Sequence, residues 1–310
     1  MSKPKLLIAD SGLDRPWLMA MWNQWFDCEV YNPDHKYDLD STVVVDNRYD
    51  GLERYNQIRA RGYRMVVPYL MDSFVDDPSE SREQELVLRA RDWVWIQEST
   101  QWRALGFDQP RAPSQPDRFF LLLMNLKRDH RDHLLAAVQE YLPHSLYSYV
   151  ARGIRLPDDS EQINDRLYVP RWYADTGFSL VSETQVNNPI YANRLFVSEK
   201  TFKPLAYGHA FVVNGTAGTL EYLHGLGFET FAHRVDQTYD TVTSADQALM
   251  MVQAVLADLF DEFQSTGQVF QDTQTQQILQ HNRELFFDHR RVAQLFATQI
   301  VQPIMEFIES

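Results

Sequence analysis

The sequence predicts an α/β protein of two facing Rossmann-like domains with a helical C-terminal tail. Three observations point there. Short apolar, β-branched runs alternate with helical patterns in the first third; the alternation restarts after a proline-rich stretch; and the chain is helical in period from residue 244 onward. Continuous apolar strands separated by helices belong to parallel sheets covered on both faces. In such sheets ligands collect at the carboxyl ends of the strands. One large continuous sheet is the alternative arrangement.

KLLIAD at 5–10 is a strand ending in an Asp-Ser-Gly loop signal, and 16–26 is helical, with Trp17, Met21 and Trp25 four apart. CEVY at 28–31 and STVVVDN at 41–47 are strands, followed by a helix over 52–61. RMVVPYL at 64–70 and DWVWIQES at 92–99 complete the first set. GFDQPRAPSQPD at 106–117 has three prolines and no apolar period, so it is a linker between domains 1–112 and 113–310. The second set has strands RFFLLLMN (118–125), SLYSYV (145–150), FSLVSE (178–183) and AFVVNG (210–215). Helices are expected over 132–141, 198–207 and 219–225, then from 244 to a last pattern at 289–308.

A chain of 310 residues suits about two domains, and its hydrophobic share of 44% and charged share of 23% are ordinary for a soluble globular protein. The net charge of -14 argues against a broad nucleic-acid footprint. It leaves room for a local basic cleft holding a phosphorylated small molecule. A single cysteine, Cys28, excludes an intrachain disulfide and a Cys-rich zinc site. Its setting, WFDCEVY, marks it as a core residue in a protein of the reducing cytosol. No run reaches the roughly 18 apolar residues of a membrane helix, and MSKPKLLIAD lacks a signal-peptide core, so a cytoplasmic protein is expected.

The dinucleotide fingerprint GxGxxG, the phosphate loop GxxxxGK[ST] and the hydrolase elbow GxSxG are all absent. HRDH at 130–133 spaces its histidines i,i+3 with no HExxH and no further cysteine, which gives no support to a metal site. The informative stretch is VSEKTFKPLAYGHAFVVNG at 197–215. Ser198 is a good N-cap, which puts Glu199, Lys200 and Thr201 in the first helical turn. Unpaired backbone N–H groups there favour an anion. A lysine in that turn opposes the helix dipole, and a bound diphosphate would explain it. Glu199 beside it can accept from the paired hydroxyls of a ribose. The plainer reading is an exposed Glu-Lys pair on a capped surface helix.

The segment from FSLVSETQ to FVSEKTFKPLAYGHAFVVNG resembles the donor-binding region of fucosyltransferase-type, GT-B-fold glycosyltransferases. That family has a strand with Phe-x-x-x-x-Glu-Asn, a Thr-Glu-Lys helix, Ala-Gly, and a Pro-Val-Val strand. Phe178, Glu183, Ser198, Glu199, Lys200, Ala206, Gly208 and the strand at 211–213 follow that order here. TFKP, HAFVVNG and the trailing LGFETF also resemble glycosyltransferase-like proteins of phage and marine microbial genomes. The likeness covers about 119–231; Thr184 stands where the family has Asn, and Phe202 and Lys203 also depart from it.

The resemblance implies a GT-B-like fold with an acceptor-side first domain, a nucleotide-sugar donor domain, and a terminal helix packing back on the first domain. Glu199 would bind the ribose and Lys200 the diphosphate, helped by Arg131 from NLKRDHRDHLL, where Lys127 and Arg128 are its rivals. Glu183 would sit near the nucleotide or brace the loop, and Ser198 would cap the donor helix. Lys and Arg neutralise a leaving diphosphate without a metal, so no cofactor is expected beyond the nucleotide-sugar co-substrate. A carboxylate base, needed for inversion, is sought at strand ends of the first domain. Asp72 leads, Glu98 follows, and Asp10 and Asp46 are further candidates.

NGTAG at 214–218 is either a plain turn or a backbone approach to the ligand, and Trp172 and Tyr173 either stack on the base or fill the core. The acceptor would be a glycan, a small metabolite or a hydroxymethylated base in phage DNA. Two other classes stay open: a catalytically silent nucleotide-binding module, and a structural assembly protein with a relic fold.

Overall fold

The computed structural model describes residues 3–9, 13–39, 41–46, 52–69, 84–90, 92–109, 116–156, 169–187 and 195–310. The chain forms two compact units: Met1–Leu105 with His289–Ser310, and Gly106–Asp288.

The first unit opens with β1 (Lys5–Ile8), α1 (Pro16–Trp22), β2 (Asp27–Val30) and β3 (Thr42–Val45). It continues with α2 (Leu52–Ala60), β4 (Arg64–Tyr69), β5 (Glu85–Arg89) and α3 (Trp93–Ala104). The sheet is wholly parallel, in the order β2-β1-β3-β4-β5. Leu7, Val44, Met65 and Val67 project from it onto Tyr55, Ile58 and Tyr63. Strands covered on both faces explain why these segments are unbroken apolar runs.

Two expectations fail here. The predicted helix at 16–26 stops at Trp22, and its buried stripe is Leu18 and Trp22, while Trp25 is exposed. The segment at 92–99, expected as a strand, is the first part of α3. Trp93, Trp95, Ile96, Gln97, Glu98, Ser99, Gln101 and Trp102 are all buried there. A helix buried around its circumference has no polar face, so its sequence imitates a buried strand. The strand that occupies this place in the sheet is β5, ELVLR, which is too short and too charged at its ends to stand out.

The second unit runs β6 (Arg118–Met124), α4 (Asp129–Ala137), β7 (Leu146–Tyr149), α5 (Pro170–Ala174), β8 (Thr176–Ser182), α6 (Glu199–Tyr207), β9 (Phe211–Asn214) and α7 (Thr219–Leu226). Two longer helices, α8 (Ala245–Thr266) and α9 (Thr273–Phe286), follow. Its sheet is also parallel, in the order β7-β6-β8-β9. Phe119 anchors the core, with Phe178 at 5.2 Å, Phe260 at 5.1 Å and Phe263 at 5.4 Å, rings tilted or edge-on as aromatic quadrupoles prefer. On the other side Phe202 of α6 meets Phe286 of α9. Gly208 ends α6 in the left-handed region at φ 69°, and His209 N–H closes back on the Pro204 carbonyl at 2.8 Å.

The tail is α10 (His289–Phe296), a π-helical turn at Ala297–Val301, and α11 (Gln302–Glu309). It belongs to the first unit. Phe296 packs edge-on against Trp22 at 5.0 Å, and Gln299 exchanges hydrogen bonds with Asp92 at the start of α3 (3.1 and 2.6 Å). Arg64 of β4 donates to the Phe307 carbonyl and, at 3.1 Å, to that of Ile308. A guanidinium on the last carbonyls of a helix satisfies orphan acceptors and suits the dipole. The predicted α/β class, with two parallel sheets and a helical tail, is the class found. Among the described residues, no helix is long and apolar enough to cross a membrane.

Candidate functional site

In the second sheet the chain leaves β6 toward β7 on one side, whereas β8 leads to β9 on the other. A crevice forms at such a reversal, outside the carboxyl ends of the two central strands. The loops that border it are those after β6 and β8. They carry the residues singled out from the sequence: Arg128 and Arg131 on one, Glu183, Ser198, Glu199 and Lys200 on the other.

Glu183, at the end of β8, has no exposed surface. Its Oε1 accepts from Ser198 N–H (3.0 Å) and Thr201 Oγ1 (2.6 Å), and its Oε2 from Ser198 Oγ (2.6 Å) and Thr184 N–H (2.9 Å). These bonds hold Thr184 at the end of β8 to the start of α6. The arrangement is a capping box completed from a distance. Normally an acid at the third helical position reaches back to the N-cap N–H. That position is Thr201 here, and the acid comes from Glu183, fifteen residues before Ser198.

Three of the backbone N–H groups at the start of α6, expected to be open to an anion, have partners within the protein. Ser198 N–H is taken by Glu183 at 3.0 Å, Lys200 N–H by Ser198 Oγ at 3.3 Å, and Thr201 N–H by the Ser198 carbonyl at 3.2 Å. The Lys200 ammonium stands beside this helix start. Lys200 Nζ lies 2.5 Å from Glu199 Oε1, 3.4 Å from Thr184 Oγ1 and 3.5 Å from Ser198 Oγ. Burial works to raise the Glu199 carboxyl, but Lys200 and Lys203 outweigh it and hold it below the usual carboxylate range.

Arg131, in the first turn of α4, is 2% exposed. It donates from Nη1 to the Leu126 carbonyl at 2.8 Å, while its buried Nε has no hydrogen-bond partner. Burial first and Arg128 second lower its pKa, against Tyr149, Glu183 and Glu199. The guanidinium thus feels both carboxylates of the β8–α6 side. His130 closes the crevice from the α4 side, with Nε2 3.1 Å from the Glu183 carbonyl. Burial, aided by Arg131 and Arg128, pushes His130 down to about 4 despite that bond. The ring is neutral near pH 7, and Nε2–H is the donor.

Arg128 is exposed at the N-cap of α4, and its backbone N–H meets Tyr149 OH at 3.3 Å. Tyr149 OH donates to Asp132 at 2.8 Å, and Arg152 pairs with the same oxygen at 2.8 Å. Lys127, Arg128, Arg152 and Arg155 are exposed on the loops after β6 and β7. In a chain of net charge -14 this edge is locally basic.

Other sequence candidates fall elsewhere. Glu98 does not end a strand: it lies inside α3, 3% exposed, among the helix's buried tryptophans. Asp46 follows β3 as expected but is fully buried and gripped by Arg54 at 2.5–3.2 Å, so it is a structural ion pair. Asp72 and Asp10 lie outside the described residues. Trp172 and Tyr173 sit in α5, which enters the amino end of β8; both are buried, and Tyr173 packs on Tyr207 and His209. They fill the core. NGTAG is a turn: Ala217 N–H goes to Asn187 Oδ1 at 2.8 Å, and Leu220 N–H, in the first turn of α7, goes to Asp240 at 2.9 Å. Among the described residues, no group of three or more His, Cys, Asp or Glu side chains could hold a metal ion.

Thr184, Thr201 and His130 are site members that sequence reasoning missed. Thr201 had a signal, the three-residue spacing from an N-cap serine. The other two act through contacts between separate segments.

No protein-family model and no curated protein matches the chain. Among solved structures it is similar to a crystal structure of an alpha1,3-fucosyltransferase, with a TM-score of 0.47 and 10% identity over 94% of this chain and 92% of that one. Another, of an alpha1,3-fucosyltransferase with GDP, gives 0.44 and 12% over 94% and 93%. A third, with GDP-fucose, gives 0.42 and 9% over 93% and 91%.

Proposed function

We propose that the chain is a glycosyltransferase whose second unit holds a nucleotide-sugar donor, with Lys200 and Arg131 on the diphosphate and Glu199 on the ribose hydroxyls. The observation that carries this reading is Arg131. A guanidinium is desolvated at the sheet's topological switch point with Nε unpaired, although an unpaired buried donor costs about 1–3 kcal/mol. A fold keeps such a group where an anion compensates it, and a guanidinium fork matches phosphate oxygens. Lys200 supplies a second cation on the opposite loop. A lowered Glu199 stays ionised at neutral pH and accepts from hydroxyls. Charge neutralisation by these two cations lets the diphosphate leave while an acceptor hydroxyl attacks the sugar carbon. Asp72 remains the base proposed for that hydroxyl.

Calorimetric titration with ADP, GDP, UDP and CDP tests the binding half. At least one is expected to bind, and Lys200→Ala is expected to weaken it about tenfold or more, on the order of 1.4 kcal/mol. Binding of none of the four would refute the reading. Donor hydrolysis lost in Asp72→Asn would support the catalytic half, and unchanged hydrolysis would remove that base.

A further inference from the structure

We infer that Glu183 is a positioning residue that sets the Lys200 ammonium for its ligand without touching the ligand itself. The inference deepens the reading above and rests on it for the identity of the ligand.

Glu183 is a carboxylate with no exposed surface, and among the described residues no cation forms an ion pair with it. Desolvating such a group is expensive, and hydrogen bonds to it must compensate. It receives four, all from neutral donors: two hydroxyls at 2.6 Å, the short range of charge-assisted bonds, and two backbone N–H groups at 2.9 and 3.0 Å. Capping α6 does not by itself require this, because Ser198 already caps Lys200 N–H through its own hydroxyl. The additional result of the four bonds is seen at Lys200. Its Nζ has three neighbours: Glu199, Thr184 and Ser198. Two of the three are held by Glu183, Thr184 through its backbone N–H and Ser198 through both N–H and Oγ.

Because the Ser198 hydroxyl proton is committed to Glu183, its lone pairs face Lys200. The Glu183 backbone extends the device: its carbonyl takes His130 from the turn that carries Arg131, and its N–H is bonded to the Asn214 carbonyl of β9. Gly215 beyond β9 leaves little slack, since a Cβ there would stand 3.4 Å from Glu183 Cγ and 3.1 Å from Val213 Cγ1. One residue thus ties together the segments that present both proposed diphosphate cations, the carboxylate holding the Lys200 side and the backbone carbonyl the Arg131 side.

Glu183→Gln is the informative change. An amide has one acceptor oxygen, and either flip sets its NH2 against a backbone N–H, that of Ser198 or that of Thr184. Thr201→Val removes only one donor and is the milder companion if Glu183→Gln folds poorly. The experiment is a double-mutant cycle with Lys200→Ala, reading nucleoside diphosphate affinity by calorimetry and amide hydrogen exchange on the same proteins. Glu183→Gln is expected to weaken binding about tenfold in the unaltered chain and less than about twofold in the Lys200→Ala background, because residues acting as one unit are non-additive. Thr201→Val is expected to show a smaller loss with the same dependence on Lys200.

Amides 198–201 are expected to exchange faster in Glu183→Gln while β6 amides do not change. An equal loss in both backgrounds would overturn the inference, as would unaltered affinity in a folded Glu183→Gln protein. Unchanged exchange at 198–201 would overturn it whatever the titration shows. Faster exchange there with no nucleotide bound by the unaltered chain would support Glu183 as the anchor and refute the diphosphate reading instead.

Discussion

Replacing Arg131 by Met separates a residue kept for a ligand from one kept for the fold. The side chain is 2% exposed, so Met fills most of its volume without reaching solvent. The change removes the Nη1 bond to the Leu126 carbonyl, worth about 1.5–3 kcal/mol as a bond from a charged group. It also removes an unpaired buried Nε, which costs about 1–3 kcal/mol, and relieves the desolvation that leads the causes lowering its pKa. The strongest charge acting on Arg131 is the repulsion of Arg128, with the pull of Glu183 and Glu199 behind it.

These terms nearly cancel, so stability is expected to change by less than about 1.5 kcal/mol, with either sign. Nucleoside diphosphate binding is expected to fall about tenfold or more, because the guanidinium's contribution is made to the ligand. Urea denaturation at constant m-value gives the first quantity and calorimetry the second. A loss of more than about 3 kcal/mol in stability with unaltered affinity would refute the reasoning, since it would make Arg131 a structural arginine.

Two further predictions concern buried carboxylates. Asp240 is pushed up to about 6 by burial, against the backbone N–H groups of Leu220, Glu221, Thr219 and Gly218. A folded pKa above the unfolded value means that the native state binds the extra proton, so stability falls as pH rises from about 4 to about 6. Asp240→Asn is expected to flatten that part of the stability–pH curve, measured by urea denaturation across the window. Asp46→Asn breaks a buried pair with Arg54 and is expected to cost about 2–4 kcal/mol, read as a lowered midpoint with unchanged m-value.

Apart from β5, the strands of both sheets were legible because each is short, largely apolar and flanked by turn signals. KLLI, TVVV, FVVN and RFFLLLM are buried at nearly every position, as a sheet covered on both faces demands. The same logic misled at α3, since burial on all sides erases the polar face that distinguishes a helix. The pairing of Ser198, Glu199 and Lys200 was legible because an N-cap and its first turn are neighbours in sequence. The role of Glu183 was not, because the acid that completes the box lies fifteen residues upstream and meets Ser198 only when β8 and α6 pack. Asp240 stands in the same relation to α7, 20 residues from the amide it caps.

Local chemistry belongs to the sequence: which segments bury themselves, where helices begin, and that a lysine and a glutamate open α6. Those properties depend on near neighbours and on hydrophobic period, which survive in one dimension. The tertiary structure decided the rest. The strand order β7-β6-β8-β9 brings the segments carrying Arg131 and α6 side by side, and a distant carboxylate takes the N-cap amide of α6. Both follow from contacts between segments far apart in the chain, where the energy of a buried charge depends on which donors folding brings within reach.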